Sequence, residues 1–166
     1  MKAVRVGEYG GPDVLKVEEI PLPVPGAGQF LLKVIACGIN PLDAWFRSGH
    51  FAARFNRTLP YTPGTDVVGT VVEQGEGADL FAVGDTIMGV LPVLSDGGYA
   101  EYTVIDQERV TAVPVGLDPI QAAAAMTPAI TGVQMVEKAL SLGPCERMLI
   151  IGALGGVGRA AVVTAL

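Results

Sequence analysis

The sequence predicts a mostly β barrel or sandwich, followed by helices and by the opening strand, loop and helix of an α/β domain. Three observations predict it. Up to residue 115 the chain is a series of short strands punctuated by glycine and proline. After Pro114 strand alternation gives way to helical spacing. An apolar run over 148–151 then enters a glycine-dense turn at Gly152.

Alternation begins at once, over residues 2–7, and Gly10-Gly11-Pro12 turns the chain into a second strand over 15–20. Pro21, Pro23 and Pro25 each lack a ladder donor, so 21–26 reads as a stiff connector. Residues 30–36 form a strong strand ending at Cys37-Gly38, and 67–73 form another, bounded by Pro63-Gly64 and Gly75-Glu76-Gly77. Val83-Gly84-Asp85 turns into a strand over 86–91, and Gly97-Gly98 leads into one over 99–105.

The first helix has Asp118 as N-cap, Pro119 at its first position and Gln121 completing a capping box. Thr127-Pro128 repeats the start signal for a second helix over 127–142. There Ile130, Val133, Val136 and Leu140 recur at helical spacing before Gly143-Pro144 stops it. We therefore expect a β domain over 1–117, then linker helices and the start of a second domain over 118–166.

The run 148–151, with Ala153-x-Gly155-x-x-Gly158 and the start of a helix behind it, reads as the entrance to a dinucleotide-binding βαβ unit. Alanine stands in the first glycine's place. Gly155 would let backbone N–H groups approach a pyrophosphate, Gly158 would let the helix pack tightly, and the helix N-terminus favours phosphate charge. Alone, such a loop is more often an ordinary turn. A doubly wound fold needs several βαβ units of ~30 residues each. Leu166 falls inside what reads as the first crossover helix, so the chain is expected to be the front half of a larger enzyme. The residue ~20 positions past the loop that selects NAD or NADP falls beyond Leu166.

At 166 residues, half of them hydrophobic, the chain can hold one good-sized domain with a core. Its net charge of −6 argues against a nucleic-acid surface. Cys37 and Cys145 form no metal-ligand spacing and are too few for a disulfide scaffold. No signal-peptide core precedes the first strand and no apolar run has the length of a membrane span. A cytoplasmic protein without a membrane partner is expected.

The candidate chemistry follows the strand over 30–36. Asn40 can donate and accept at once, so it could hold a hydroxyl or amide of a ligand, and Trp45 and Phe46 could wall an apolar substrate. Equally, Asn40 could cap a helical turn with Trp45 in the core. Asp66, directly before Val67-Val68, is either a partly buried carboxylate or an end-of-strand residue bonding backbone amides. Arg47, His50, Arg54 and Arg57 form a locally basic stretch that could receive a phosphate, although a solvated loop is the commoner outcome. His50 has no triad partner pattern around it.

Taken together these motifs resemble the medium-chain dehydrogenase/reductase superfamily, and within it the zinc-independent quinone oxidoreductase (zeta-crystallin-like) branch. The resemblance rests on Cys37-Gly38-Ile39-Asn40-Pro41-Leu42-Asp43, Arg47-Ser48-Gly49 and Pro60-Tyr61-Thr62-Pro63-Gly64-Thr65-Asp66. It continues through Val83-Gly84-Asp85, Gly97-Gly98-Tyr99-Ala100-Glu101-Tyr102 and Ala153-x-Gly155-Gly156-Val157-Gly158. It implies a GroES-like substrate domain followed by a Rossmann domain, with NADPH and substrate in the cleft between them, and a homo-oligomer.

Where zinc alcohol dehydrogenases carry a cysteine and a histidine ligand, this chain has Asn40 and Thr65, neither a plausible zinc ligand, so no metal is expected. Without a Lewis acid the acceptor must already be electrophilic, which implies a quinone or an α,β-unsaturated carbonyl (enone) as the small-molecule partner. The resemblance implies Asn40 near the nicotinamide ribose and substrate, and Thr131 by the nicotinamide carboxamide. It implies Trp45, Phe46 and Tyr99 in the substrate pocket, with Ala153, Gly155, Gly156, Val157 and Gly158 under the pyrophosphate. Two departures stand out: Trp45 replaces a tyrosine common in relatives and cannot serve as an acid, and Ala125-Met126-Thr127-Pro128-Ala129 replaces the usual Leu-Pro-Leu-Ala-Gly. The competing reading is a non-catalytic GroES-like fragment with a crystallin-type structural or RNA-associated role. The acidic balance weighs against RNA.

Overall fold

In the computed structural model, which describes residues 1–55, 57–141, 143 and 145–166, the chain divides into two compact units, Met1–Ala123 and Ala124–Leu166. Strands β1 (Lys2–Val6) and β2 (Leu15–Glu19) pair as an antiparallel hairpin. Strands β3 (Gln29–Gly38), β4 (Asp66–Gln74), β5 (Thr86–Val90), β6 (Tyr102–Asp106) and β7 (Val110–Ala112) form an antiparallel sheet in the order β6-β3-β4-β5-β7. Single bridges from Ala3 to Ala100 and from Val6 to Tyr61 tie the hairpin to the segments beside the sheet. The predicted mostly β architecture is therefore present.

The strands form where β-branched and aromatic residues alternate, and their inward faces make the core. Phe30, Leu32, Val67, Val71, Ile87 and Ile105 are almost wholly buried together. Each side chain of this kind contributes about 1.5–3 kcal/mol of transfer free energy. A second cluster joins Val6, Val14, Phe46 and Tyr61, with Leu42, Phe51 and Phe55 packed against it. The β3–β4 register shifts between Val34 and Ala36. Such irregularities re-aim a strand, here immediately before Cys37 and the turn that follows.

Three α-helices appear among the described residues: α1 (Pro41–Arg47), α2 (Pro119–Gln134) and α3 (Gly156–Ala165). Asp118 caps α2 as expected, its Oδ1 accepting from the Ile120 and Gln121 amides at 2.9 and 3.3 Å. The end of β3 meets the first turns of α2 through Gly38, where a Cβ would lie 2.5 Å from the Ala123 carbonyl oxygen.

Two expectations are corrected. The signals at 118 and 127 do not start separate helices, because α2 runs through Pro128. Proline removes one intrahelical donor, yet the helix continues to Gln134, and Gly132 lies so close to the Val157 carbonyl oxygen that a Cβ there would stand 2.5 Å from it. The winding continues as a π-helical segment, Met135–Leu140, and ends at Ser141, whose φ is 49° and whose N–H bonds the Val136 carbonyl. The expected end at residue 142 and the Pro144 stop lie outside the described residues.

The expected strand over 148–151 does not form; 148–150 carry no regular structure and a turn begins at Ile151. A strand exists only by pairing its backbone groups, and among the described residues no strand lies beside this run. No helix among the described residues is long and apolar enough to cross a membrane.

Candidate functional site

In the first unit, the chain leaves β3 at Gly38 and passes Asn40 in extended conformation (φ −119°, ψ 153°) into α1, with Pro41 at its start. The Asn40 amide donates to Asp43 Oδ2 at 2.8 Å, and the Asp43 amide donates to the Asn40 carbonyl at 3.0 Å. Asn40 is therefore the N-cap residue of α1. Its side chain does more than cap: Nδ2 donates to Asp66 Oδ2 at 3.2 Å. Asp66, the first residue of β4, is buried, and Asn40 is 9% exposed. A carboxamide has two hydrogens and two acceptor lone pairs on its oxygen, so this bond to Asp66 leaves Asn40 further capacity toward a ligand.

Tyr99 belongs to the same constellation. Its hydroxyl donates to Asp43 Oδ2 at 3.0 Å, while the Gly64 amide donates to Asp43 Oδ1 at 3.2 Å. Gly64 has φ +96°, and a Cβ there would stand 2.4 Å from the Tyr99 ring and 2.7 Å from Cys37 Sγ. Only glycine satisfies both demands. Burial, then the Asp43 charge and hydrogen bond, hold the Tyr99 phenol above its ordinary value. Burial, then the charges of Asp43 and Asp66, push the Cys37 thiol up to about 12.

The aromatic residues separate. Phe46 is 7% exposed and packs in the second core cluster, so its ring is a core element. Trp45 is 50% exposed, its ring 5.9 Å from Phe51 and 6.1 Å from His50. The basic stretch also divides. Arg57 donates to the Val93, Ser95 and Thr62 carbonyls and lies 3.6 Å over the Tyr61 ring, a tether rather than a free cation. Arg47 donates to the Gly10 carbonyl at 3.3 Å, and Arg54 lies over Phe55. Among the described residues no group of three or more His, Cys, Asp or Glu side chains could hold a metal ion.

In the second unit, Gly152 turns the chain with φ +81°, and Gly155 is the N-cap of α3 with no side-chain cap. The Gly155 amide donates to the Gly152 carbonyl at 3.0 Å. A Cβ on Gly158 would lie 2.2 Å from the Gly152 oxygen and 2.8 Å from Ala153 Cα. The loop thus packs closely against the first turn of α3. The amides of Gly156, Val157 and Gly158 point out of the helix, as the first N–H groups of any helix do, with no preceding side chain to cap them. Ala153 and Gly155 lie in this turn, and Gly156, Val157 and Gly158 form the first turn of α3. Thr131 is partly buried near the end of α2, beside a groove with Gln134, Met135, Lys138 and Ala139.

The structure brings Asn40, Asp43, Asp66 and Tyr99 together in one unit, and holds Thr131 and the glycine loop in the other. Sequence reasoning points to Asn40 but not to Asp43 as a site residue. The signal available was the Asn40-x-x-Asp43 spacing, an N-cap with an acid at the third helical position.

The alcohol dehydrogenase GroES-like domain family matches residues 26–115. Human quinone oxidoreductase is 41% identical over 162 residues, which are 97% of this chain and 48% of that protein. An alcohol dehydrogenase superfamily protein from Novosphingobium aromaticivorans superposes with a TM-score of 0.89 at 32% identity, over 99% of this chain and 50% of its own. A mycobacterial protein solved as a complex with NADPH gives 0.84 at 32% identity, over 96% and 48%. The chain spans about half the length of the curated relatives it matches.

Proposed function

The chain belongs to the alcohol dehydrogenase GroES-like domain family, within the medium-chain dehydrogenase/reductase superfamily, and from that premise we propose a zinc-independent, NADPH-dependent oxidoreductase that reduces a quinone or an α,β-unsaturated carbonyl. The observation that carries this reading is Asn40, a carboxamide held by Asp66 at the mouth of α1. Where zinc-dependent relatives would place a thiolate, this side chain can orient a ligand but is no plausible zinc ligand. Thr65 adds no imidazole on the neighbouring turn. The relative named quinone oxidoreductase and the neighbour solved with NADPH support the same choice of acceptor and cofactor.

When bound, the reduced nicotinamide supplies the hydride. This chain's residues bind and orient. The amides of Gly156, Val157 and Gly158 would receive the pyrophosphate, Gly155 and Ala153 would keep its approach clear, and Thr131 would hold the carboxamide. Asn40 would fix the ribose and the acceptor, and Trp45 would offer an apolar wall. Positioning of this kind is the main means by which protein groups accelerate such a transfer. The proton has to come from elsewhere. The Trp45 indole is no acid, and the Tyr99 hydroxyl is committed to Asp43 with its proton held tightly. Water or another group must supply it.

The test reads the fluorescence of Trp45 in the full-length protein, as the part of the signal that Trp45→Phe removes. Titration with NADPH, with NADH alongside, should quench its fluorescence with micromolar affinity for NADPH. Added quinone should then oxidise the bound NADPH. A protein that binds neither nucleotide and oxidises neither with any quinone or enone would end this reading and leave a structural or binding role.

A further inference from the structure

We propose that Asp43 is a positioning residue for the Asn40 site: one carboxylate that holds the N-terminus of α1, the Gly64 turn and the Tyr99 ring in register. Three donors from three segments converge on it. The Asn40 amide and the Tyr99 hydroxyl share Oδ2, at 2.8 and 3.0 Å, and the Gly64 amide takes Oδ1 at 3.2 Å. All three are bonds to a carboxylate, the stronger class of hydrogen bond.

The bonds close a circuit. Gly64 leads through Thr65 to Asp66, and Asp66 takes the Asn40 side chain. Asn40 is therefore held at its backbone by Asp43 and at its carboxamide by Asp66, while Asp43 also anchors the turn that delivers Asp66. The Tyr99 ring sits where a Gly64 side chain would be, so its hydroxyl is aimed at Asp43 by packing. A displacement at Asp43 must appear as a change in the angle of the Asn40 carboxamide.

An asparagine at position 43 cannot replace the carboxylate. Its NH₂ end would oppose either the Gly64 N–H or the Asn40 N–H, whichever way it flips. What Asn40 is positioned for rests on the nicotinamide reading above; that Asp43 positions it does not.

The experiment combines two readouts on the complete protein. In ¹⁵N-asparagine-labelled protein, with the Asn40 side-chain amide assigned by its loss in Asn40→Ala, Asp43→Asn should shift or broaden that resonance pair. Tyr99→Phe, which removes one of the three donors, should shift it less and in the same direction. In turnover at saturating NADPH, Asp43→Asn should lower kcat for quinone reduction about tenfold, with KM changed far less, and Asp43→Glu should recover part of the loss. An Asn40 amide pair unmoved in Asp43→Asn overturns the proposal. Should that variant not fold, the same resonance in Tyr99→Phe decides. If the unaltered protein reduces no quinone, the proposed activity fails, and the Asn40 resonance still decides the role of Asp43.

Discussion

Between Asp43 and Asp66, the Cys37 thiol is pushed up to about 12, first by burial and then by those two charges, against a lowering bond from the Gly98 backbone. In the unfolded chain a cysteine releases its proton near pH ~8.5. Below that pH both states keep the proton and the site contributes no pH dependence. Between that value and about 12 the unfolded chain loses the proton while the folded chain keeps it. The unfolded state then binds fewer protons, so stability falls as pH rises through this window. Tyr99 is shifted in the same direction, by burial and by Asp43, and adds to the fall above its own ordinary value. We predict a thermal midpoint that declines as pH rises above ~8, with a shallower decline in Cys37→Ala. The same cause should appear in reactivity: iodoacetamide at pH 8 should label the exposed Cys145 and spare Cys37. Equal labelling of both thiols would show that neither burial nor the two acids protect Cys37.

Two glycines of the loop before α3 separate packing from ligand approach. A Cβ on Gly158 collides with backbone, 2.2 Å from the Gly152 oxygen, whereas a Cβ on Gly155 meets that oxygen at 3.4 Å, an ordinary contact. Overpacking of the first kind costs about 1–3 kcal/mol. Gly158→Ala should therefore loosen α3, seen as lost amide-exchange protection over 160–164, and weaken NADPH binding as well. Gly155→Ala should leave that protection intact and weaken NADPH alone. Equal protection in both variants would refute the packing role of Gly158. The loop was legible because its spacing carries this steric demand, and β1 to β6 were legible because alternation and Gly/Pro punctuation are local. The three residues of β7 are too few to show a period. The run 148–151 is as apolar as any strand, yet pairing depends on a neighbour that no local pattern contains. Pro128 misled for a related reason: locally it reads as a helix start, whereas α2 runs through it, and packing beyond the local pattern decides whether a helix tolerates a proline. At the site, Asn40 and its capping turn could be read locally. The bond from Tyr99 to Asp43 spans 56 positions and could not.

The 166-residue chain as a whole is acidic, and the second unit carries apolar side chains that nothing among the described residues covers. Leu149, Ile151 and Leu154 are each at least 85% exposed, and Val163 on α3 is 76% exposed. Beneath part of this surface lies an apolar cavity of about 500 Å³ lined by Met135, Leu140, Met148, Ile150 and Val157 among others. Single exposed apolar residues are ordinary on any protein, but a run of them beside an open apolar cavity is not. Burying a few such side chains would gain about 1.5–3 kcal/mol each. Association costs about 4–15 kcal/mol in lost freedom, so the balance falls in the range of weak self-association rather than a permanent dimer. The net charge of −6 opposes it and is screened by salt. Sedimentation of the 166-residue chain should therefore show a concentration-dependent oligomer that strengthens from low to moderate salt. Leu149→Lys with Ile151→Lys should return it to a monomer without moving the thermal midpoint of the first unit, whose core lies in other residues. A chain that stays monomeric at high concentration and high salt would show that burying this surface gains too little to offset the cost of association.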